Sequence, residues 1–153
     1  MPRVQRSADV SWEGNVARGS GAITGATGAF SELPFSLASR IEKADGKTSP
    51  EELLAAAHAA CFTMSLAGEI AGAGTPVERL DVHATVTLDQ VDDGSHRIVS
   101  SELFARARVK EMDAETLQRL AASASEGCPF TKLIEASATV TVNATLEGDT
   151  HGD

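Results

Sequence analysis

Residues 48–71, TSPEELLAAAHAACFTMSLAGEIA, decide the fold, because they predict one long helix with a well-marked start. Ser49 can cap this helix, Pro50 suits its first position, and Glu52 completes the Ser-x-x-Glu pattern of a capping box. After the first turn almost every position is apolar, which is typical of a helix that is buried on all sides. Cys61 falls in the middle of this predicted helix.

The segments around the helix alternate between apolar and polar residues and are separated by glycine-containing turns, which is typical of short strands. The predicted strands are residues 9–14, 19–24, 34–37, 80–88, 98–109 and 138–144. A second helix is predicted over 113–126, with Gly127 at its C′ position, and a short helical turn over 129–135. The two strands at 80–88 and 98–109 form a predicted hairpin with one buried face, turning at residues 92–94.

Length and charge limit what this chain can do. Its 153 residues suit one domain, which we expect over residues 1–146, with a disordered tail over 147–153. The formal net charge of −9, with no basic cluster, argues against nucleic-acid binding. The first residues carry no apolar run, and no window approaches the roughly 20 apolar residues of a membrane span. We therefore expect a soluble, cytoplasmic protein that binds neither nucleic acid nor membrane.

The two cysteines carry the most reactive chemistry in the chain, since cysteines of cytosolic proteins tend to be catalytic, redox-sensing or metal-binding. Cys128 lies between a predicted helix end and Pro129, where unpaired backbone N–H groups would lower its thiol pKa. Cys61 lies among alanines, so it needs a cation or a helix dipole nearby to react, and a small core residue is the plain alternative. Together the cysteines are consistent with an attacking and a resolving thiol.

His58 allows two other kinds of chemistry, because it precedes Cys61 by three positions and shares a helix face with it. It could act as the base of a Cys-His hydrolase, or join Cys61 and Cys128 in a zinc-binding structural module. However, no acidic orienting residue or fourth zinc ligand is evident in the sequence. A hydrogen-bonded core histidine is the favoured interpretation.

Residues 48–64 resemble the signature of the OsmC and Ohr family of organic hydroperoxide reductases. The resemblance extends to Gly127-Cys128-Pro129 and to Val10-Ser11-Trp12-Glu13-Gly14, and so covers almost the whole chain. His58 stands where the Ohr branch typically has tyrosine, which favours the OsmC-like branch. The resemblance implies an α+β fold, with a long buried central helix packed on curved antiparallel sheet in an intertwined homodimer. Its two active sites would lie at the dimer interface.

The resemblance also implies roles for individual residues. The attacking cysteine of the family falls on Cys61, the resolving cysteine on Cys128 and the catalytic glutamate on Glu51. Arg40 matches the catalytic arginine of OsmC-like members and is our preferred candidate, whereas Arg18 aligns near the arginine of Ohr-like members. Glu51 would hold the arginine by a bidentate ion pair. No metal, haem or flavin is implied.

Substrate and partners follow from the same resemblance. The substrate would be an organic hydroperoxide, and an external dithiol of the lipoyl type would reduce the Cys61–Cys128 disulfide. The apolar side chains predicted to line a hydrophobic entrance are Phe35, Met112, Phe130 and Leu133. Glu51 and Cys61 lie ten positions apart on one predicted helix, or about 15 Å along its axis. We therefore expect Glu51 to act on the Cys61 of the other subunit.

Overall fold

A computed structural model describes residues 3–148, and these residues divide into two compact units, the first ending at Leu53 and the second beginning at Leu54. The first unit contains strands β1 (Ala8–Glu13), β2 (Ser20–Gly25) and β3 (Leu33–Phe35), which form one antiparallel sheet in that order. A short helix follows, α1 (Leu37–Ile41). Helix α2 (Pro50–Gly72) begins at the end of the first unit and continues in the second.

The second unit contains strands β4 (Val77–Gln90), β5 (His96–Val109) and β6 (Thr139–Leu146) and helices α3 (Ala114–Gly127) and α4 (Pro129–Glu135). Its sheet has the order β4-β5-β6. The predicted hairpin is confirmed, since β4 and β5 pair antiparallel, but β5 and β6 pair parallel, so this sheet is mixed rather than antiparallel. The reason is the connection: α3 and α4 form the crossover that a parallel pair requires.

The α+β fold class and the long helix are confirmed, but the burial of α2 within one chain is narrower than predicted. Its buried side chains recur every four residues and form a single stripe: His58, Phe62, Leu66 and Ile70. The apolar members of this stripe pack against β5 and α3 in the core of the second unit. Most other positions of α2 are partly or fully exposed, and Met64 is 70% exposed. Burial of α2 within this chain is therefore limited to one stripe, and the predicted all-round burial is not observed.

The exposed apolar surface of α2 also corrects the expectation that no stretch resembles a membrane span. Helix α2 has 23 residues and is apolar enough to cross a membrane by length and composition, and 22% of its most apolar window is buried within the chain. Core helices of water-soluble proteins meet the same criterion, so this similarity is weak evidence for a membrane span.

The observed ends of helices α2 and α3 can be compared with the capping residues predicted from the sequence. Ser49 Oγ accepts the backbone N–H of Glu52 at 3.1 Å, as predicted for the start of α2. The Glu52 carboxylate, however, accepts from the Thr48 hydroxyl at 2.7 Å instead of closing the capping box. Gly127 is the last residue of α3 rather than C′, and Cys128 takes an extended conformation because Pro129 follows it.

The predicted tail begins with an ordered residue. The carboxylate of Glu147 pairs with the Arg108 guanidinium at 2.8 and 2.9 Å, and its backbone N–H donates to the Ala107 carbonyl oxygen at 2.7 Å. The rest of the predicted tail, residues 149–153, lies outside the described residues.

Candidate active site

The two cysteines meet in the second unit. Cys61 comes from the middle of α2, and Cys128 forms the junction between α3 and α4. Both are free thiols, and their sulfurs lie within hydrogen-bond distance of each other, at an Sγ–Sγ distance of 3.2 Å. A disulfide requires about 2.05 Å, so a shift of little more than 1 Å would join the two sulfurs. The sequence alone could not establish this proximity.

The pKa values of the two thiols shift in opposite directions. Burial raises the pKa of the Cys61 thiol, its hydrogen bond with Cys128 raises it further, and the backbone N–H of Phe130 opposes both effects. Burial also acts to raise the pKa of the Cys128 thiol, but the Thr131 N–H, Cys61, the Thr131 hydroxyl and the Phe130 N–H together lower it. Although the Cys128 side chain makes no capping hydrogen bond of good geometry, these dipoles stabilise its thiolate. The effect predicted for Cys128 at the helix start is therefore confirmed.

His58 is a hydrogen-bonded core residue, as predicted. It is fully buried, and its two ring nitrogens are paired: Nδ1 with Ser101 Oγ at 2.8 Å and Nε2 with Thr131 Oγ1 at 2.9 Å. Burial lowers the pKa of the His58 imidazole, with the charge of Glu135 opposing the shift, so the neutral ring is favoured. Because neither nitrogen is directed to Cys61, the Cys-His base of a hydrolase is not formed.

Zinc ligation finds no support in the described part of the chain, residues 3–148. No group of three or more His, Cys, Asp or Glu side chains there is arranged to hold a metal ion. His58 also has no nitrogen available for a metal, because Ser101 and Thr131 occupy both.

The first unit forms the predicted ion pair. Arg40 Nε lies 3.0 and 3.2 Å from the two carboxylate oxygens of Glu51, and Arg40 Nη2 lies 2.6 Å from Glu51 Oε1. Hydrogen bonding to Glu51 raises the pKa of the Arg40 guanidinium, although partial burial opposes this. The Arg40 side chain remains 40% exposed, whereas that of Glu51 is 12% exposed. Glu51 thus fixes a guanidinium whose remaining donors can face a ligand.

Helix α1 positions Arg40, and our sequence interpretation missed it. Ser36 Oγ accepts the Ser39 N–H at 3.1 Å, and Ser39 Oγ accepts the Ser36 N–H at 2.9 Å. The Ser39 hydroxyl lies 3.2 Å from the Thr48 carbonyl oxygen, just before α2 begins. This contact holds α1 beside the start of α2, where Glu51 lies. The signal was Ser36, three residues before Ser39, but we had placed Ser36 in the predicted strand 34–37 instead of at a helix cap.

Arg18 has a different environment from Arg40. It is exposed, and its backbone N–H donates to Asn15 Oδ1 at 2.9 Å. Within residues 3–148, its guanidinium forms no ion pair. The bidentate partner expected of a catalytic arginine is therefore found at Arg40.

An apolar cleft of about 160 Å³ lies beside Arg40 in the first unit. Trp12 and Phe35 form its aromatic wall, with ring centroids 5.5 Å apart. Its other lining residues are Val16, Ser36, Leu37, Arg40 and Pro50. Phe35 was predicted to line a hydrophobic entrance, whereas the sequence interpretation did not include Trp12.

The other three predicted entrance residues lie in the second unit and differ from one another. Met112 packs against the hydrophobic core. Phe130 is half-buried, and its backbone N–H acts on the pKa values of both cysteines. Leu133 is 65% exposed. The entrance role is thus best supported for Phe35, while Met112 has a packing role instead.

Comparison with known proteins finds relatives over most of this chain. The family described as OsmC-like protein matches residues 43–143. Peroxiredoxin OsmC of Escherichia coli (strain K12) is 34% identical over 137 residues, which are 90% of this chain and 94% of the relative. The organic hydroperoxide resistance protein OhrB of Bacillus subtilis is 26% identical, with a TM-score of 0.72 over 91% of this chain and 98% of that one.

A second solved structure extends the similarity in fold. The organic hydroperoxide resistance protein of Elizabethkingia anophelis gives a TM-score of 0.72 at 23% identity, covering 95% of this chain and 100% of that one. From the match over residues 43–143 and the 34% identity with peroxiredoxin OsmC, the chain belongs to the OsmC-like protein family.

Proposed function

We propose that this protein is a thiol-dependent peroxidase that reduces organic hydroperoxides. The observation that carries the proposal is the pair of free thiols at a sulfur–sulfur distance of 3.2 Å. Its family membership supports the same chemistry, since one relative is a peroxiredoxin and another an organic hydroperoxide resistance protein.

The proposed reaction oxidises Cys61, then forms the disulfide, and finally restores both thiols. The Cys61 thiolate attacks the terminal oxygen of the hydroperoxide, the O–O bond breaks, and the alkoxide takes a proton and leaves as an alcohol. Cys61 is thereby oxidised to a sulfenic acid. The Cys128 thiolate then attacks the Cys61 sulfur, forming a disulfide and releasing hydroxide, which is protonated to water. An external dithiol, for which the family resemblance suggests the lipoyl type, reduces the disulfide and is itself oxidised.

Arg40 is the proposed source of the positive charge that the Cys61 thiolate requires. No cation is among the groups in the described residues that shift the Cys61 pKa, and those groups together raise it. A guanidinium next to the sulfur would reverse that shift and polarise the peroxide. Glu51 would hold Arg40 in place through the observed bidentate ion pair.

A homodimer with shared sites would bring this charge to the sulfur. Glu51 and Cys61 lie on one continuous helix, ten residues or about 15 Å apart along its axis. From this helix spacing we expect an arginine paired with Glu51 to serve the Cys61 of another chain rather than its own. The largely exposed apolar surface of α2 supports burial against a second copy of this chain, which would supply Arg40 and Glu51 in trans.

The peroxidase proposal can be tested by mass spectrometry of intact protein before and after one equivalent of cumene hydroperoxide. We expect the loss of two hydrogens and a Cys61–Cys128 crosslink after proteolysis without reductant. The matched control is Cys128→Ser, which should gain one oxygen on Cys61 instead. Protein that stays reduced while the peroxide persists would contradict the proposal.

The shared site can be tested with a heterodimer of differently tagged Cys61→Ser and Glu51→Ala subunits. If Glu51 acts in trans, one of the two sites combines an intact Cys61 with an intact Glu51, and the heterodimer regains about half of the wild-type activity. If Glu51 acts in cis, each site lacks one group and the heterodimer is as inactive as the two parent homodimers.

Cytoplasmic location stays a prediction, consistent with recycling by a dithiol.

A further inference from the structure

Gly21 lies in the middle of the three-stranded sheet of the first unit, between the two aromatic residues of the cleft beside Arg40. On strand β2 it pairs with Trp12 of β1 on one side and with Phe35 of β3 on the other. Residues directly opposite one another on neighbouring strands project from the same face of a sheet. The three residues therefore form one row across the sheet, and the middle member of the row has no side chain.

The two aromatic rings use the space above Gly21. Strands β1 and β3 both pair with β2, so their backbones are about 10 Å apart. The ring centroids of Trp12 and Phe35 are nevertheless only 5.5 Å apart, with an angle of 43° between the ring planes. A Cβ atom at Gly21 would overlap the Phe35 ring at Cε1 and Cζ. The aromatic contact across β2 therefore depends on the absence of a side chain at this position.

Trp12 is fixed by two further contacts. Its indole N–H donates to the Gly14 carbonyl oxygen at 2.9 Å. A Cβ atom at Gly19 would lie 2.7 Å from Cζ2 of the indole, so the ring also packs closely against this second glycine. A side chain at Gly21 would meet the ring of Phe35 first, and we therefore expect it to displace Phe35 rather than Trp12.

The row of three residues matters because Trp12 and Phe35 form the aromatic wall of the cleft. The cleft volume of about 160 Å³ is close to the roughly 150 Å³ of an apolar protein cavity that binds benzene. A phenyl or similarly compact apolar group therefore fits the cleft. Hydrogen peroxide has no apolar group and gains nothing from an aromatic wall.

We propose that Gly21 is a positioning residue that sets substrate preference, because the space above it lets Trp12 and Phe35 form one aromatic wall for the organic group of the hydroperoxide. This inference rests on the proposed peroxidase function and concerns which hydroperoxides are preferred. Gly21 acts through the position of the Phe35 ring and has no role in the chemical steps.

The first test compares Gly21→Ala with Gly25→Ala through the ratio of kcat/KM for cumene hydroperoxide to kcat/KM for hydrogen peroxide. In Gly21→Ala we expect this ratio to fall about tenfold, the lower end of what burial of a phenyl ring contributes. Gly25→Ala is the matched control, because it lies on the same strand and its Cβ would lie 3.0 Å from Phe30, a ring that does not line this cleft. It should keep the wild-type ratio. A purely structural defect in Gly21→Ala would lower both rates equally, and an unchanged ratio would overturn the proposal.

A double-mutant cycle tests whether Gly21 acts through Phe35. Phe35→Ala removes half of the aromatic wall and should itself lower the ratio. Adding Gly21→Ala to it should have no further effect, since the ring that the new Cβ would displace is gone. A Cβ at Gly21 would also lie 2.7 Å from the Ser11 carbonyl oxygen. If the two substitutions lowered the ratio additively, Gly21 would act through this backbone contact and the proposal would be refuted.

Binding without turnover separates this proposal from the peroxidase function. Trp12 is the only tryptophan of the chain, so intrinsic tryptophan fluorescence reports on the cleft. The ligand is 2-phenyl-2-propanol, the alcohol formed from cumene hydroperoxide. We expect a saturable fluorescence change in the wild type and about tenfold weaker binding in Gly21→Ala. Equal affinities, or no saturable change in the wild type, would contradict the proposal whatever the peroxidase activity. Failure of the peroxidase function would instead leave cumene hydroperoxide unreduced by a wild type that still binds the alcohol.

NMR of unaltered protein covers the case in which Gly21→Ala folds poorly. We expect nuclear Overhauser effects between the Gly21 Hα protons and the Phe35 ring, and between the phenyl protons of the bound alcohol and the rings of both Trp12 and Phe35. An alcohol that contacts neither ring would overturn the proposal.

Discussion

The Arg40–Glu51 pair and the cysteine pair differ in what surrounds them. The ion pair belongs to the first unit, is partly exposed, and holds a full positive charge in a fixed direction. The cysteines belong to the second unit, where Cys128 is fully buried and backbone N–H groups act on the pKa values of both thiols. One region therefore supplies charge and the other supplies sulfur, and the proposed chemistry requires both.

The two cysteines have different proposed roles, and replacing the attacking one is expected to have the largest effect on activity. Cys61→Ser removes the only proposed attacking sulfur, so we expect turnover of organic hydroperoxides to be abolished. Cys128→Ser keeps the attacking sulfur, so it should consume about one equivalent and then stop with an oxidised Cys61. Peroxide consumption by stoichiometric and steady-state assays measures both results. Normal turnover in Cys61→Ser would reverse the assignment of roles.

Replacing the catalytic arginine is expected to have the next largest effect on activity, and there are two candidates for this residue. Arg40→Ala removes the guanidinium held by Glu51, and we expect kcat/KM to fall by about 10- to 100-fold, as for a lost charge-assisted hydrogen bond. The Cys61 thiol pKa should rise in the same variant. Arg18→Ala is the matched control and should change both quantities little.

A third variant tests whether the geometry of the arginine matters as well as its charge. Arg40→Lys keeps the charge but loses the bidentate contact with Glu51, so its activity should lie between those of wild type and Arg40→Ala. Thiol titration and steady-state kinetics of all three variants decide between the arginines. A larger loss in Arg18→Ala would move the charge to the Ohr-like position.

Parts of the fold followed from local sequence signals, and the failures have physical reasons. The start of α2 was predictable because capping depends on neighbouring residues, and Ser49 does cap Glu52. The single buried stripe of α2 was not, because an apolar position does not reveal whether its own chain or another molecule covers it. The parallel pairing of β6 with β5 was missed because strand pairing depends on contacts between residues that are far apart in the sequence.

In the candidate site, too, features that depend on neighbouring residues were predictable, whereas contacts between distant residues were not. The lowered pKa of Cys128 was predictable from Pro129 and the helix start. The contact between Cys61 and Cys128 joins residues 67 positions apart, and the sequence alone does not encode their separation. Ser101 and Thr131 were missed because a hydroxyl that pairs with a histidine carries no sequence signature.

The apolar cleft beside Arg40 is expected to have a moderate effect on substrate preference. The cleft beside Arg40 is lined by Trp12, Phe35 and other apolar groups, so organic hydroperoxides should have a higher kcat/KM than hydrogen peroxide. Each CH₂ buried in the cleft would contribute up to about 0.8 kcal/mol, or roughly fourfold. Steady-state kinetics with a series of straight-chain alkyl hydroperoxides measures this slope. Equal efficiency with hydrogen peroxide would contradict it.

The smallest expected effect concerns stability, and it tests whether the two regions differ energetically as well as chemically. Glu51→Gln breaks an ion pair whose arginine is 40% exposed, and such pairs contribute at most about 1 kcal/mol to the free energy of unfolding. Ser101→Ala leaves the fully buried His58 Nδ1 without its partner, which costs about 1–3 kcal/mol. Urea denaturation at one fixed protomer concentration compares them, since a dimer's stability depends on concentration. Glu51→Gln should therefore lose activity with little loss of stability, and Ser101→Ala should lose more stability than Glu51→Gln. If Glu51→Gln were the more destabilising variant, the ion pair would be a structural support rather than a holder of charge.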